Sequence, residues 1–514
     1  MGATTRFSLE DQNEVFFSTA ATSRAIRGLL RAGRIRHVAA RIYTKNLDDP
    51  LEEVVRRRVW DVAGGMFPGA VVVDRTAFEP LPAGPEGSIF LCSDTARVVR
   101  LPGVVLNCRR GPGPASGDAP FLGGALYMSS WPRRFLENMR ESRARSGVRR
   151  TLSRPEMERQ LEMLLANQGE QELNRLRDEA ERIAPELGSE REIERLSALI
   201  GALLGTREAP LQSPLARATR AGEGWDEARI ALFDALFAAL HAHVPIDRPA
   251  GERQSGSTFA FYEAYFSNFI EGTEFTVAEA REIVFEGAIP ADRPKDAHDV
   301  LGTFDLVSDP ALRARTPSGA EDLQALLSTS HARIMAGRPE ERPGRFKSRA
   351  NRAGQTEFVT PKRVIGTLRR GYDYYESLQQ GFPRAVFAMF LVSEVHPFAD
   401  GNGRVARALA NAALSAAGQQ RLIIPIVFRD DYLQALRAMS RRSDPAPLIR
   451  SLNRAQAWAG EVDWSSTASA EADLQLTNAL LIPAEADERG VILRLPGELA
   501  AGGLARGLSQ NRYE

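Results

Sequence analysis

The sequence predicts a multidomain α+β protein: a winged helix and a small α/β unit in the N-terminal part, then an all-α domain that carries one β-hairpin. Three observations predict it. Between residues 68 and 130, short apolar and β-branched runs alternate with Gly and Pro, most heavily at Gly111-Pro112-Gly113-Pro114, and read as strands. From about residue 215 onward the apolar residues recur with helical spacing. The 514-residue length fits about three domains. The expected boundaries are a winged helix–turn–helix at 1–67, an α/β unit with charged helices at 68–207, the all-α domain at 215–460, and a tail at 461–514.

Composition narrows the class. Lys plus Arg and Asp plus Glu both number 66, so net charge is zero and points to no partner by itself. At 43% hydrophobic and 26% charged, the chain is ordinary globular material. Cys92 and Cys108 are the only cysteines, which excludes a disulfide framework and a cysteine zinc site and fits a reducing, cytoplasmic setting. No run of about 18 apolar residues occurs, so no membrane span is expected. Met1 to Arg6 lacks an apolar signal core and has Arg6 where a myristoylation motif has Ser or Thr.

In chain order, Ser18 to Arg31 reads as a helix stopped at Ala32-Gly33. Arg34–Val38 and Arg41–Thr44 follow as a hairpin. Arg24, Arg27, Arg31, Arg34, Arg36, Arg41 and Lys45 lie here, with no acid between Glu14 and Asp48. This is the plan of a basic winged helix. It leaves two partner classes open: double-stranded DNA, contacted at its phosphates by Arg24, Arg27, Arg31 and Arg36, or protein, including a homodimer. Strands are expected at Ala70–Val73, Ser88–Leu91, Val98–Leu101, Val104–Leu106 and Leu126–Met128. Residues 131–207 read as charged helices. Their run Arg140, Arg143, Arg145, Arg149, Arg150 reads as a solvated face rather than a second nucleic-acid patch. Thr206 to Pro214 reads as a linker.

Beyond 215, Asp226–His243 is an amphipathic helix. His241 and His243, two apart, do not share a helix face for a metal. Thr258–Ile270 is an aromatic helix suited to core packing. Thr276–Phe285, Ala320–Ala336 and Pro361–Gln379 are further helices, with His331 a packing or hydrogen-bonding residue. Pro343–Lys347 through Gln355–Val359 reads as a hairpin with a polar tip. After 465, Leu480–Ile482 and Val491–Leu493 read as a short strand pair.

The densest chemistry lies at His396-Pro397-Phe398-Ala399-Asp400-Gly401-Asn402-Gly403-Arg404-Val405-Ala406-Arg407. An apolar helix precedes it, and Pro397 disfavours helix at His396. An Ala-rich helix follows. A glycine loop that opens a helix presents free N–H groups and positive potential to an anion. Arg404 and Arg407 are three apart on the first turns and match phosphate oxygens. Asp400 is a hard oxygen ligand suited to Mg²⁺ beside a polyphosphate. His396 titrates near neutrality and can take a proton from a hydroxyl.

This stretch resembles the Fic (Fido) family motif H-P-F-x-[DE]-G-N-G-R-x-x-R at every specified position. The resemblance implies transfer of AMP from ATP to a Ser, Thr or Tyr hydroxyl of a protein. His396 would be the base and Asp400 the Mg²⁺ ligand. Gly401, Asn402, Gly403 and Arg404 would bind the α- and β-phosphates, and Arg407 would meet the γ-phosphate. Ser267-Asn268-Phe269-Ile270-Glu271-Gly272 resembles the family's inhibitory motif [ST]-x-x-x-E-[GN], which implies restraint by Glu271. The 343–359 hairpin resembles the family's target-holding flap. The basic N-terminal module is similar to the winged helix of AbiEi-type antitoxins. The variant of this fold that transfers the γ-phosphoryl group has a Lys in the loop, and Gly401 and Gly403 argue against it. AMP removal, with Glu271 orienting a water, and a DNA-binding regulator that senses nucleotide are the remaining readings.

Overall fold

A computed structural model describes residues 7–499 apart from 146–147, 244–245, 252–253 and 255. The expectations for Met1–Arg6, and for the tail beyond 499, lie outside the described residues. The chain divides into two compact units, one up to Ala221 and one from Gly222.

The first unit opens on a three-stranded antiparallel sheet of β1 (Val15–Phe17), β2 (Arg36–Ala39) and β3 (Ile42–Thr44), in the order β1-β3-β2. The expected hairpin is β2–β3. Strand β1 was not expected, since three residues carry too little alternation to read. The helix is Ser23–Arg31, shorter than Ser18–Arg31, and buries only Ile26. Thr19 and Thr22 account for its late start, because each backbone N–H is taken by the other's hydroxyl.

A six-stranded mixed sheet follows, in the order β6-β7-β5-β4-β9-β8. Its strands are β4 (Ala70–Val72), β5 (Ser88–Ser93), β6 (Arg97–Leu101), β7 (Val104–Arg110), β8 (Ala119–Phe121) and β9 (Leu126–Met128). Strand β8 escaped the sequence reading because it contains Pro120; as an edge strand it tolerates the missing donor. Helices Trp131–Asn138, Arg154–Gln168, Glu170–Leu187, Glu190–Leu203 and Pro214–Arg220 share a second core around Phe135, Leu161, Leu176 and Leu196. A small hairpin, β10 (Ala144–Arg145) with β11 (Val148–Arg149), interrupts them. Residues 206–214 are not a free linker. Glu158, buried, accepts the N–H groups of Gln212 and Ser213 at 2.7 and 2.6 Å, and holds this segment on the first unit. The second unit therefore starts after 221 rather than at 215.

The second unit is helical apart from one short hairpin among its described residues. Every residue from Phe259 to Ile270 of the helix Ser257–Ile270 is buried, so its rings are core, as expected. The helix Phe382–Val395 is apolar all round and runs through the middle of the same core. It packs along the helix Asn402–Ala416. The 461–499 segment is not a separate tail. Helices Thr467–Leu476 and Pro483–Arg489 bury Ala470, Leu474 and Ala486 in that core. The expected strands at 480–482 and 491–493 do not form. Asn478 turns with φ 64°, and Pro483 starts a helix instead.

Candidate active site

The apolar helix ends at His396, whose φ of 51° is left-handed. That turn places Nδ1 3.2 Å from the Ser393 carbonyl. With Nδ1–H donating there, Nε2 keeps its lone pair. The Phe358 ring stacks on the imidazole at 3.8 Å and 5°. Burial holds the imidazole neutral, with its pKa down to about 4; Lys347 works in the same direction and the Ser393 bond opposes both. Lys347 lies beneath the loop. Its N–H donates to Pro397 O at 2.8 Å and its Nζ to Asn351 Oδ1 at 2.7 Å. Burial lowers that ammonium to about 7.

The loop after His396 is fixed from both sides. Phe398 is buried and stacks on His331 at 3.8 Å and 6°. Asn402 Oδ1 accepts from Phe398 N at 2.8 Å and its Nδ2 donates to Phe398 O at 3.0 Å. Asn402 thus closes the loop with its side chain, so only its backbone N–H is left to meet a phosphate. His331 Nδ1 accepts from Gly344 N at 2.9 Å, which leaves Nε2–H to meet Asp400 O at 3.1 Å. Its burial lowers it to about 4, and its structural role is the expected one. Gly401 has φ 73°, and a Cβ there would lie 2.8 Å from the Met335 sulfur, so a side chain is excluded. Helix Asn402–Ala416 then starts with no side-chain cap. The first N–H groups of a helix have no partner within it, so this end is open to an anion.

The two arginines are both buried and both held. Arg404 lies 2.5 Å from Asp299 Oδ2 and 3.5 Å from Asp400 Oδ2. Arg407 donates to Ser267 Oγ at 3.0 Å, Ser267 O at 2.7 Å and Glu271 Oε1 at 2.7 Å. Glu271 ends the aromatic helix, and Gly272 turns away with φ 92°. A Cβ on Gly403 would fall on the Glu271 carboxylate, so Gly403 makes room for it. Asp400 is half-exposed, and its Oδ1 accepts Gly401 N–H at 2.7 Å. Among the described residues no three His, Cys, Asp or Glu side chains cluster as a metal cage. One exposed carboxylate fits Mg²⁺ of the kind held mostly by substrate phosphates and water.

The hairpin is shorter than 343–359: β12 (Arg352–Ala353) and β13 (Thr356–Glu357) pair across Gly354-Gln355. Pro343–Lys347 is not a strand, because its backbone and Lys347 are bound to the His396 loop and to His331. A cleft of about 570 Å³ lies between the hairpin and the loop, lined by Glu271, Phe358, His396, Gly403, Arg407 and Tyr432 among others. The sequence reading missed Glu394, Arg229 and Asp299. Glu394 is buried in the cleft wall and lies 2.8 Å from Arg229 Nε. Arg229 also donates to the carbonyl of Glu357 in β13. Burial pushes the carboxyls of Glu394 and Asp299 up, against the pull of their arginines. Glu394 is marked in sequence as the one acid of the apolar helix before His396; nothing local marks Arg229 or Asp299, which only packing brings in.

The basic module belongs to the first unit. Arg24, Arg27 and Arg31 are exposed. Arg36 differs: it donates to Asn46 O at 2.9 Å and also to Asp49 O, so it ties down the strand end.

Residues 322–414 match the model of the Fic/DOC family. The Fic/DOC match contains His331 and the whole His396–Arg407 stretch; it leaves out Ser267–Gly272 and the first unit. Two curated relatives are protein adenylyltransferases. One, Fic of Drosophila willistoni, is 27% identical over 283 residues, 53% of this chain and 54% of that one. The other, fic-1 of Caenorhabditis elegans, is 28% identical over 208 residues, 38% of this chain and 40% of that one. The chain spans about half the length, or less, of these relatives. Among solved structures, a Fic-domain-containing signalling protein of Bacteroides thetaiotaomicron is 18% identical with a TM-score of 0.37, over 47% of this chain and 97% of that one.

Proposed function

We propose that the chain is a Mg²⁺-dependent protein adenylyltransferase, restrained by Glu271. The observation that carries this is the placement of His396: a neutral imidazole with Nδ1 committed to Ser393, in one cleft with Arg407 and the open start of a helix. The adenylyltransferase relatives support the reading. Backbone N–H groups of Asn402 to Arg404 and the two guanidiniums hold the triphosphate of ATP, the Gly401 N–H being taken by Asp400. A Ser, Thr or Tyr hydroxyl of a target protein loses its proton to His396 Nε2. Its oxygen attacks the α-phosphorus, the bond to the β-phosphate oxygen breaks, and pyrophosphate leaves. The Phe358 face and the incoming phosphates stabilise the imidazolium that forms. Asp400 would hold Mg²⁺, which supplies charge neutralisation to the phosphates. With Glu271 on Arg407, the guanidinium is occupied and the γ-phosphate cannot settle in line. The two free, buried cysteines support a reducing, cytoplasmic setting.

Incubation with ATP labelled at either the α- or the γ-phosphate tests the reading. Label should reach protein from the α-position only. Transfer of the γ-label would contradict it. A Glu271 carboxylate beside Gly403 also favours AMP removal with the same residue orienting water, and Glu271→Gly would then abolish removal.

We further propose that the N-terminal module binds duplex DNA through Arg24, Arg27 and Arg31, which are exposed and have no acid nearby in the chain. Neutralising all three should flatten the salt dependence of binding by about one unit of slope for each phosphate they neutralise. No retention of duplex DNA by the full chain at low salt would remove this proposal and leave protein contact.

A further inference from the structure

We propose that the first unit holds a second anion site, a cleft that takes a nucleotide. The cleft measures about 980 Å³ and lies wholly within that unit. Four arginines from three segments line it: Arg143 just before β10 and Arg149 at the end of β11, Arg154 at the start of one helix, and Arg195 on another. Among the described residues, Glu141 is the one carboxylate in the lining.

The basic run from 140 to 150 is not a uniform solvated face. Arg140 is spent on Leu187 O, Gly188 O and Ser189 Oγ at 2.8–3.0 Å. Arg150 lies 3.3 Å from Asp74. The guanidiniums of Arg143 and Arg149 are exposed and have no hydrogen-bond or ion-pair partner among the described residues; both border the cleft. Arg195 makes only a 3.4 Å bond to Met139 O, and Arg154 alone is ion-paired, 3.1 Å from Glu158. Arg140, Arg150 and Arg154, which also donates to Pro210 O at 2.6 Å, are thus committed, while Arg143 and Arg149, and Arg195 apart from its one long bond, are left available around the cleft.

The floor decides the ligand class. Met139, Leu152 and Leu199 are buried and apolar, so a bare phosphate would leave that floor wet. Among the described residues no aromatic ring lines the cleft, which removes the stacking platform that single-stranded nucleic acid uses. The volume lies at the upper end of small-molecule sites, roughly 300–1,000 Å³. A nucleotide matches both surfaces: its phosphates meet guanidinium forks, and its flat base covers apolar side chains.

The test is equilibrium dialysis of the full chain with labelled α,β-methylene-ATP, whose α–β link resists cleavage. The parent is compared with Arg149→Glu/Arg195→Glu. Both side chains are exposed, so the fold should tolerate the change; if it does not, Arg149→Gln/Arg195→Gln replaces it. Two equivalents bound by the parent and one by the variant is the expected result, with affinity at the second site weakened at least tenfold. One equivalent in the parent and none in the variant would also support the cleft, while removing nucleotide binding at the His396 loop. Equal stoichiometry in parent and variant, whether two, one or none, would overturn the proposal.

Discussion

Each unit buries a cluster of arginines and carboxylates, and the two clusters face different surroundings. In the first unit, Arg133 and Asp118 are fully buried 2.6 Å apart. Arg133 and Arg109 both reach Glu137, and Arg109 reaches Asp74 at 3.0 Å. The glycine-bearing loop beside this network turns carbonyls toward it, with Pro112 O and Gly113 O accepting from Arg133. The first unit's one histidine, His37, lies away from it in β2. In the second unit, Arg404 and Arg407 are equally buried, but Glu271 keeps 29% of its side chain exposed and borders the cleft. Buried arginines alone therefore mark no site. What sets the second cluster apart is a glycine loop that opens a long helix, the neutral His396 and a partly exposed carboxylate, Glu271, at the cleft.

The comparison can be broken from either side. The largest effect should come from His396→Ala, which should slow AMP transfer by roughly 10²–10⁴ and leave the fold intact. Self-labelling from α-labelled ATP checks this; a variant as fast as the parent would remove the base. Arg133→Leu should do the reverse. It strands Asp118 and weakens the hold on Glu137, whose carboxyl burial already pushes up. The expected cost is about 3–5 kcal/mol of first-unit stability. Urea unfolding should reveal it, with transfer by the folded chain unchanged.

Much of the candidate site was legible because it is local. The twelve residues from His396 to Arg407 build their own loop, and the chemistry follows from residue type and spacing. Legibility ends where packing decides. Asp299 looks like a surface acid in sequence, and Glu394 is a lone acid in an apolar helix with no partner in view; in the fold they are buried partners of Arg404 and Arg229. Asn402 reads as a phosphate ligand and spends its amide inside the loop. In the first unit, β8 hid behind Pro120, and the segment at 206–214 looked like a linker because the buried acid that holds it, Glu158, is some fifty residues earlier.

A smaller effect separates the units by pH. His331 and His396 are both held near 4 by burial, below the roughly 6.5 of an unfolded histidine. The unfolded chain binds more protons between these values. Second-unit stability is therefore fully present above pH 6.5 and falls as pH drops toward 4, by about 1.4 kcal/mol per pH unit for each histidine. His331→Gln should remove one histidine's share of that slope. Urea titrations between pH 4.5 and 7 measure it. A slope in the parent no steeper than in His331→Gln would contradict the neutral, buried assignment of His331.

The Arg407–Glu271 pair is where transfer and stability should part most clearly. Because Glu271 is partly exposed and Arg407 keeps its bonds to Ser267, Glu271→Gly should alter stability by about 1 kcal/mol or less. AMP transfer should respond far more. At equal folded concentration, self-labelling from α-labelled ATP should rise at least tenfold in Glu271→Gly, with nucleotide affinity little changed. Equal rates in parent and variant would contradict restraint by Glu271, which would then be no more than the last turn of a helix.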